Sequence, residues 1–215
     1  MISRKKELYD DIRRILKDLG VDEHWYPIKA ADIAALMPDI ELEYIPYSSP
    51  HIGAIMLRDK VTGISVNSNR PAYDQNFDIA HELVHYWLHP ETTSFSFDAP
   101  VTSRDRRKEW QANEGAAQIL VPYEDFIPRF IRKAAEVEEN YESVETIYYD
   151  LARHYGVNPV VIDYRIRNLD DEISQYHGGT KIRDIVLAGN FYTFNRHKKV
   201  SVHKALLDKL KERNG

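Results

Sequence analysis

Hydrophobic positions in this chain form helical stripes near both ends and short strand-like runs between them. Leu8, Ile12, Ile15, Leu16 and Leu19 recur at three- and four-residue intervals, which predicts an amphipathic helix over residues 5–19 that Gly20 can end. Residues 27–37 read as a short helix closed by Pro38. Residues 40–47, 52–57 and 61–66 are strand-like and separated by Ser48-Ser49-Pro50 and Asp59-Lys60, so a small antiparallel sheet is the economical arrangement; the pattern does not say which strand is the edge. Phe77, Ile79, Ala80, Leu83, Val84, Trp87 and Leu88 surround the next segment on most sides, as in a buried helix, with Asp74 or Asn76 as its cap, Asp78 in its first turn and Pro90 as its stop. Residues 91–108 are polar and read as an exposed loop, with the basic run Arg104 to Lys108 as a solvated helix start. Ala112, Ala116, Ala117 and Leu120 then mark one face of a further helix.

Residues 123–137 and 141–155 continue the helical spacing, and Gly156-Val157-Asn158-Pro159 supplies an end, a cap and a first turn in succession. Val161, Tyr164, Arg165 and Leu169 carry the pattern onward, giving a helical hairpin or helix-turn-helix-like region. Residues 185–187 and 191–194 read as short strands around Gly189-Asn190, and residues 202–210 as a last helix. The class expected is α+β, a small antiparallel sheet packed on helices and followed by the helical hairpin.

The buried helix carries polar residues that change the picture. It contains His81-Glu82-Leu83-Val84-His85. Residues four apart share a helix face, so His81 and His85 can point at one metal ion, with Glu82 bordering the site as a base toward water. Buried without a common partner, these three side chains would leave costly unsatisfied groups. Glu109 lies on the alanine-rich face of the next helix, which can approach closely enough for its carboxylate to be a third ligand, and Asn113 one turn on can bond a ligand imidazole. Two histidines and a glutamate leave a fourth tetrahedral position open, the pattern of catalytic zinc, one ion per chain. His89 lies about 12 Å from His81 along the axis and reads as a helix-end histidine that satisfies terminal carbonyls.

This set of His-Glu-x-x-His, then Glu109-x-x-Ala112-Asn113, a small-residue run and Leu120-Val121-Pro122, resembles the ImmA/IrrE family of zinc-dependent metallopeptidases. The resemblance takes in Ile64-Ser65-Val66-Asn67 and Phe77-Asp78-Ile79-Ala80 and covers roughly residues 25–170. The family commonly has Gly where Val84 stands, Phe where Gly115 stands and Thr where Asp78 stands. The basic segment over 177–215 lies outside the resemblance and has no assigned role, and the helix-turn-helix-like region is expected over 141–176. The resemblance implies a gluzincin-like minimal metallopeptidase domain, expected over residues 1–140 with the N-terminal packing helix. It further implies an intracellular endopeptidase with Glu82 as general base, acting on a protein substrate. That substrate would be a transcriptional repressor of a phage or mobile element. In metallopeptidases with this motif, an edge strand beside the metal commonly holds the substrate backbone.

Composition narrows the alternatives. The chain has no cysteine, which excludes disulfides and thiolate zinc sites. No apolar leader or membrane-length run occurs, so a cytoplasmic protein is expected. The net charge of −5 divides into +6 over residues 177–215 and −11 before them. An acidic body is a poor general DNA binder. The hairpin's second helix offers only Arg165 and Arg167 against Asp163, Asp170, Asp171 and Glu172, which favours a structural hairpin over a DNA reader. The rival readings are a regulatory protein that docks on a repressor or binds DNA, with a structural or vestigial metal site, and a metal-dependent hydrolase of a non-peptide amide.

Overall fold

The amphipathic N-terminal stripe folds as α1 (Arg4–Asp18) in a computed structural model that describes residues 4–21, 26–91, 103–140 and 143–188. Contacts group residues 8–120 into one unit, and the described residues from Val121 onward, with residues 4–7, into another.

In the first unit α1 is followed by α2 (Ala30–Ala35), β1 (Ile40–Ile45), β2 (Ala54–Leu57), β3 (Thr62–Asn67), α3 (Ala72–Leu88) and α4 (Ser103–Leu120). The strands lie in the order β1-β3-β2. β2 pairs antiparallel with β3, Met56 opposite Ile64, whereas β1 pairs parallel with β3, Leu42 opposite Ile64. The sheet is therefore mixed, not wholly antiparallel. The chain reverses twice between β1 and β3, and β3 then enters the middle instead of adding at an edge, which restores the direction of β1. Strand patterning reports which residues face inward but not the order of insertion. Central β3 accordingly buries Thr62, Ile64 and Val66 in alternation, and α3 packs on β2 and β3.

Three local expectations change. α3 starts at Ala72, so Asn76 and Asp78 lie inside it; Asn76 instead accepts from the Ala30 backbone N–H and donates to the Ile28 carbonyl, capping the start of α2. Asp78 pairs with Arg70 at 2.9 Å. α4 begins at Ser103, so the basic run from Arg104 to Lys108 is a helix start as expected, and the loop expected over 91–108 does not reach Lys108.

Arg58, just past β2, fastens that strand to the end of α3. Its guanidinium donates to the carbonyls of His85 at 3.0 Å, Tyr86 at 2.9 Å and His89 at 3.4 Å, and lies 4.9 Å above the Tyr86 ring. A cation on helix-terminal carbonyls is well placed against the helix dipole. Arg58→Met keeps the stem and removes these bonds; it is expected to cost about 1.5–3 kcal/mol, read as a drop of several degrees in Tm by circular dichroism.

The second unit holds α5 (Tyr123–Asn140), α6 (Val144–Tyr155), α7 (Pro159–Asn168) and α8 (Asp170–His177). Gly156 takes the left-handed conformation that ends α6, φ 64°, and the Asn158 side chain accepts from the Val160 backbone N–H to cap α7. Lys5 lies 2.8 Å from buried Glu172 and donates to the Asn168 carbonyl. The expected strand over 185–187 does not form. A 3-10 turn (Ile182–Asp184) precedes it, and both backbone groups of Val186 bond to the Gln175 side-chain amide, so no ladder is needed. The turn at Gly189-Asn190, the strand over 191–194 and the helix over 202–210 lie outside the described residues.

Candidate metal centre

Helical spacing puts His81, Glu82 and His85 on adjoining positions of α3, and the alanine face of α4 lets that helix carry Glu109 up to them. Ala112, Ala116 and Ala117 are all fully buried. His81 Nε2 and His85 Nε2 stand 3.0 Å apart, and the Glu109 carboxylate oxygens lie 3.4 Å from the first and 3.3 Å from the second. Among the described residues this is the group of His, Asp and Glu donors that could hold a metal, its ligand atoms within 4.8 Å of one another. The His85 side chain is 0 % exposed and that of Glu109 is 38 % exposed, so the cluster meets solvent at Glu109 and is closed at His85.

Each site residue expected from sequence lies here. Asn113 Oδ1 is 3.1 Å from His81 Nδ1. A carboxamide oxygen only accepts, so His81 donates from Nδ1 and, when neutral, keeps a lone pair on Nε2. Glu82 is buried, and its Oε2 has no hydrogen-bond partner among the described residues. Burial pushes Glu82 up to about 7, with the Glu109 and Asp78 carboxylates adding to the rise and His81 opposing it. Burial and the neighbouring imidazoles lower His85 to about 4 despite its contact with Glu109. Burial would raise Glu109, but the two imidazoles facing it outweigh that and hold the carboxyl at about 2. The contact with Glu109 likewise overcomes burial to raise His81. The cluster therefore gathers a carboxylate and two imidazoles around one point, a donor set that a metal cation can share.

Zinc fits this arrangement. Ligand atoms about 2.0–2.1 Å from a tetrahedral ion stand roughly 3.3 Å apart, close to the spacings found. The orphaned Glu82 oxygen beside them is a buried acceptor awaiting a donor.

His89 departs from expectation. Its backbone N–H does bond to the His85 carbonyl, but its ring is buried and turns inward, Nδ1 2.9 Å from His85 Nδ1 and Nε2 3.2 Å from Gln111 Oε1. The signal was present in the sequence, since His89 is four residues from His85 and shares its face; distance to the metal position hid it. Gln111 carries no comparable pattern.

Two departures from the family pattern meet complementary neighbours. A Cβ at Gly115 would lie 2.9 Å from both methyl groups of Val84, and a Cβ at Gly53 would lie 2.5 Å from the Asp78 carboxylate. Burial, opposed by Arg70, pushes Asp78 up to about 6.

No curated protein matches the chain. Among models of protein families, the IrrE N-terminal-like domain, a peptidase family, matches residues 34–167. That span contains the mixed sheet and both helices that carry the donor cluster, and it exceeds half of the 215 residues. The chain therefore belongs to the peptidase family defined by the IrrE N-terminal-like domain.

Proposed function

We propose that this protein is a zinc-dependent endopeptidase in which His81, His85 and Glu109 hold the metal, Glu82 transfers the proton and Asn113 orients His81. One observation carries the reading most: the Glu82 oxygen that has no hydrogen-bond partner among the described residues, beside three converging donors. When bound, zinc lowers the pKa of water toward neutrality and polarises a carbonyl. Glu82 accepts the proton of the attacking water and delivers it to the leaving amine nitrogen, a two-way task suited to a carboxyl held near neutrality. Gly115 and the alanine face of α4 keep Glu109 within reach of α3.

The substrate backbone adds to the open edge of β2. Among the described residues that strand is paired with β3 on one side only, and it runs along α3 from Gly53 at Asp78 to Arg58 at His85 and Tyr86. The family resemblance supports a cytoplasmic enzyme whose substrate is a repressor. No helix among the described residues is long and apolar enough to cross a membrane. Burial of Arg165 within the second unit removes one of the two arginines that α7 could offer to DNA, and Arg167 pairs with Asp163, which favours the peptidase over the DNA-binding alternative.

Mass-spectrometric comparison of new protein N-termini in cells expressing wild-type or His81→Ala protein tests the reading. One or a few cleavage sites, dependent on His81, are expected. Identical N-terminal profiles in the two, in cells that also express candidate phage repressors, would contradict it.

A further inference from the structure

We infer that His89 and Gln111 form a positioning relay that fixes the ring of His85 in the tautomer required of a metal ligand. The inference rests on the zinc reading of the site. Gln111 Oε1 can only accept, so His89, 3.2 Å away, donates from Nε2. A neutral imidazole carries one proton, and His89 Nδ1 is thereby an acceptor. His85 Nδ1 lies 2.9 Å from it and must be the donor. His85 Nε2 is left with its lone pair, facing His81 Nε2 and Glu109. Each hydrogen bond has one permitted direction, and together they leave one tautomer for His85.

The backbone holds this relay in place. The His89 N–H bonds to the His85 carbonyl at 3.0 Å, and the Arg58 guanidinium spans the His85, Tyr86 and His89 carbonyls. His85 is fully buried and His89 nearly so. Solvent therefore cannot orient the ring, as it can for an exposed ligand, and a protein acceptor is needed. The two histidines are thus aligned differently, His81 by Asn113 directly and His85 through an intermediate imidazole. His89 touches neither the metal position nor a reacting atom and is a positioning residue.

Two measurements on the full chain test the relay: zinc affinity by chelator competition, and the tautomer of the His85 ring by nitrogen-15 NMR of the metal-free protein. Wild type is expected to carry the His85 proton on Nδ1. His89→Phe, which keeps a ring but removes the acceptor, is expected to weaken zinc about 10–100-fold and to shift the His85 proton toward Nε2. His89→Asn returns an acceptor near the Nδ1 position and is expected to recover most of the affinity. If His89→Phe does not fold, Gln111→Leu, one residue farther out, is expected to weaken zinc several-fold with the same NMR change. A His85 proton on Nε2 in wild type, zinc affinity in His89→Phe within twofold of wild type, or Asn no better than Phe would each overturn the relay. Failure of wild type to bind zinc at all would instead overturn the metal reading, and the NMR result would still decide the tautomer.

Discussion

Glu82→Gln is expected to lower peptide cleavage by at least about 10²–10⁴-fold while zinc binding persists. The change is nearly isosteric, so α3 keeps its packing, and His81, His85 and Glu109 keep all their donor atoms. An amide cannot take a proton from water, so proton transfer to the leaving nitrogen loses its carrier. The same substitution has a second, independent signature in stability. Glu82 is buried and raised from 4.5 to about 7. A carboxyl raised by folding favours the folded state when protonated; that contribution is full below about pH 4.5 and lost as pH rises through about 7. Metal-free wild type is therefore destabilised at pH 8 by a charge that Gln does not carry, by about 1–3 kcal/mol. Thermal denaturation of the metal-free proteins is expected to show Glu82→Gln more stable at pH 8 and the difference vanishing near pH 4.5. A variant that cleaves at the wild-type rate would rule out the proposed role of Glu82.

The second large effect lies in the seam between α3 and α4. Gly115→Phe is expected to destabilise the protein by more than about 3 kcal/mol, because its Cβ alone would stand 2.9 Å from both Val84 methyl groups, with Ile12 Cδ1 at 3.5 Å. The family commonly places Gly at the position of Val84 and Phe at that of Gly115, so this chain has exchanged the bulky and the small residue across one contact. Val84→Gly alone leaves a cavity and a glycine inside α3, costing about 2–4 kcal/mol. The double variant is expected to be more stable than the sum of the single changes predicts by about 0.5–3 kcal/mol, measured by urea denaturation. Additive losses would mean that the two positions do not compensate each other. Because Val84 precedes His85, a loosened seam should also weaken zinc binding in Gly115→Phe and recover in the double variant.

Much of this is legible in the sequence because it depends on helical period. His81 and His85 four apart, and Glu109 on the same face as Ala112, Ala116 and Ala117, place the donors without knowledge of the sheet. The approximate extents of β1, β2 and β3 follow from their apolar runs and the turn residues between them, which are also local signals. What escapes is set by distant partners. Nothing local in β1 tells that β3 will insert beside it in parallel. Asn76 reads as a cap for its own helix and serves α2, because the amide it satisfies is 46 residues away. Val186 looks like strand, yet Gln175 answers its backbone groups. His89 is the instructive miss: tested against the metal it is too far, and its role lies one ring further out.

The account stands on zinc held by residues of both helices, and elemental mass spectrometry of purified protein tests that directly. Wild type is expected to carry close to one zinc per chain and His85→Ala close to none, with its helical circular dichroism retained. Wild type without zinc after zinc is supplied, or a folded His85→Ala protein that keeps a full equivalent, would contradict the account.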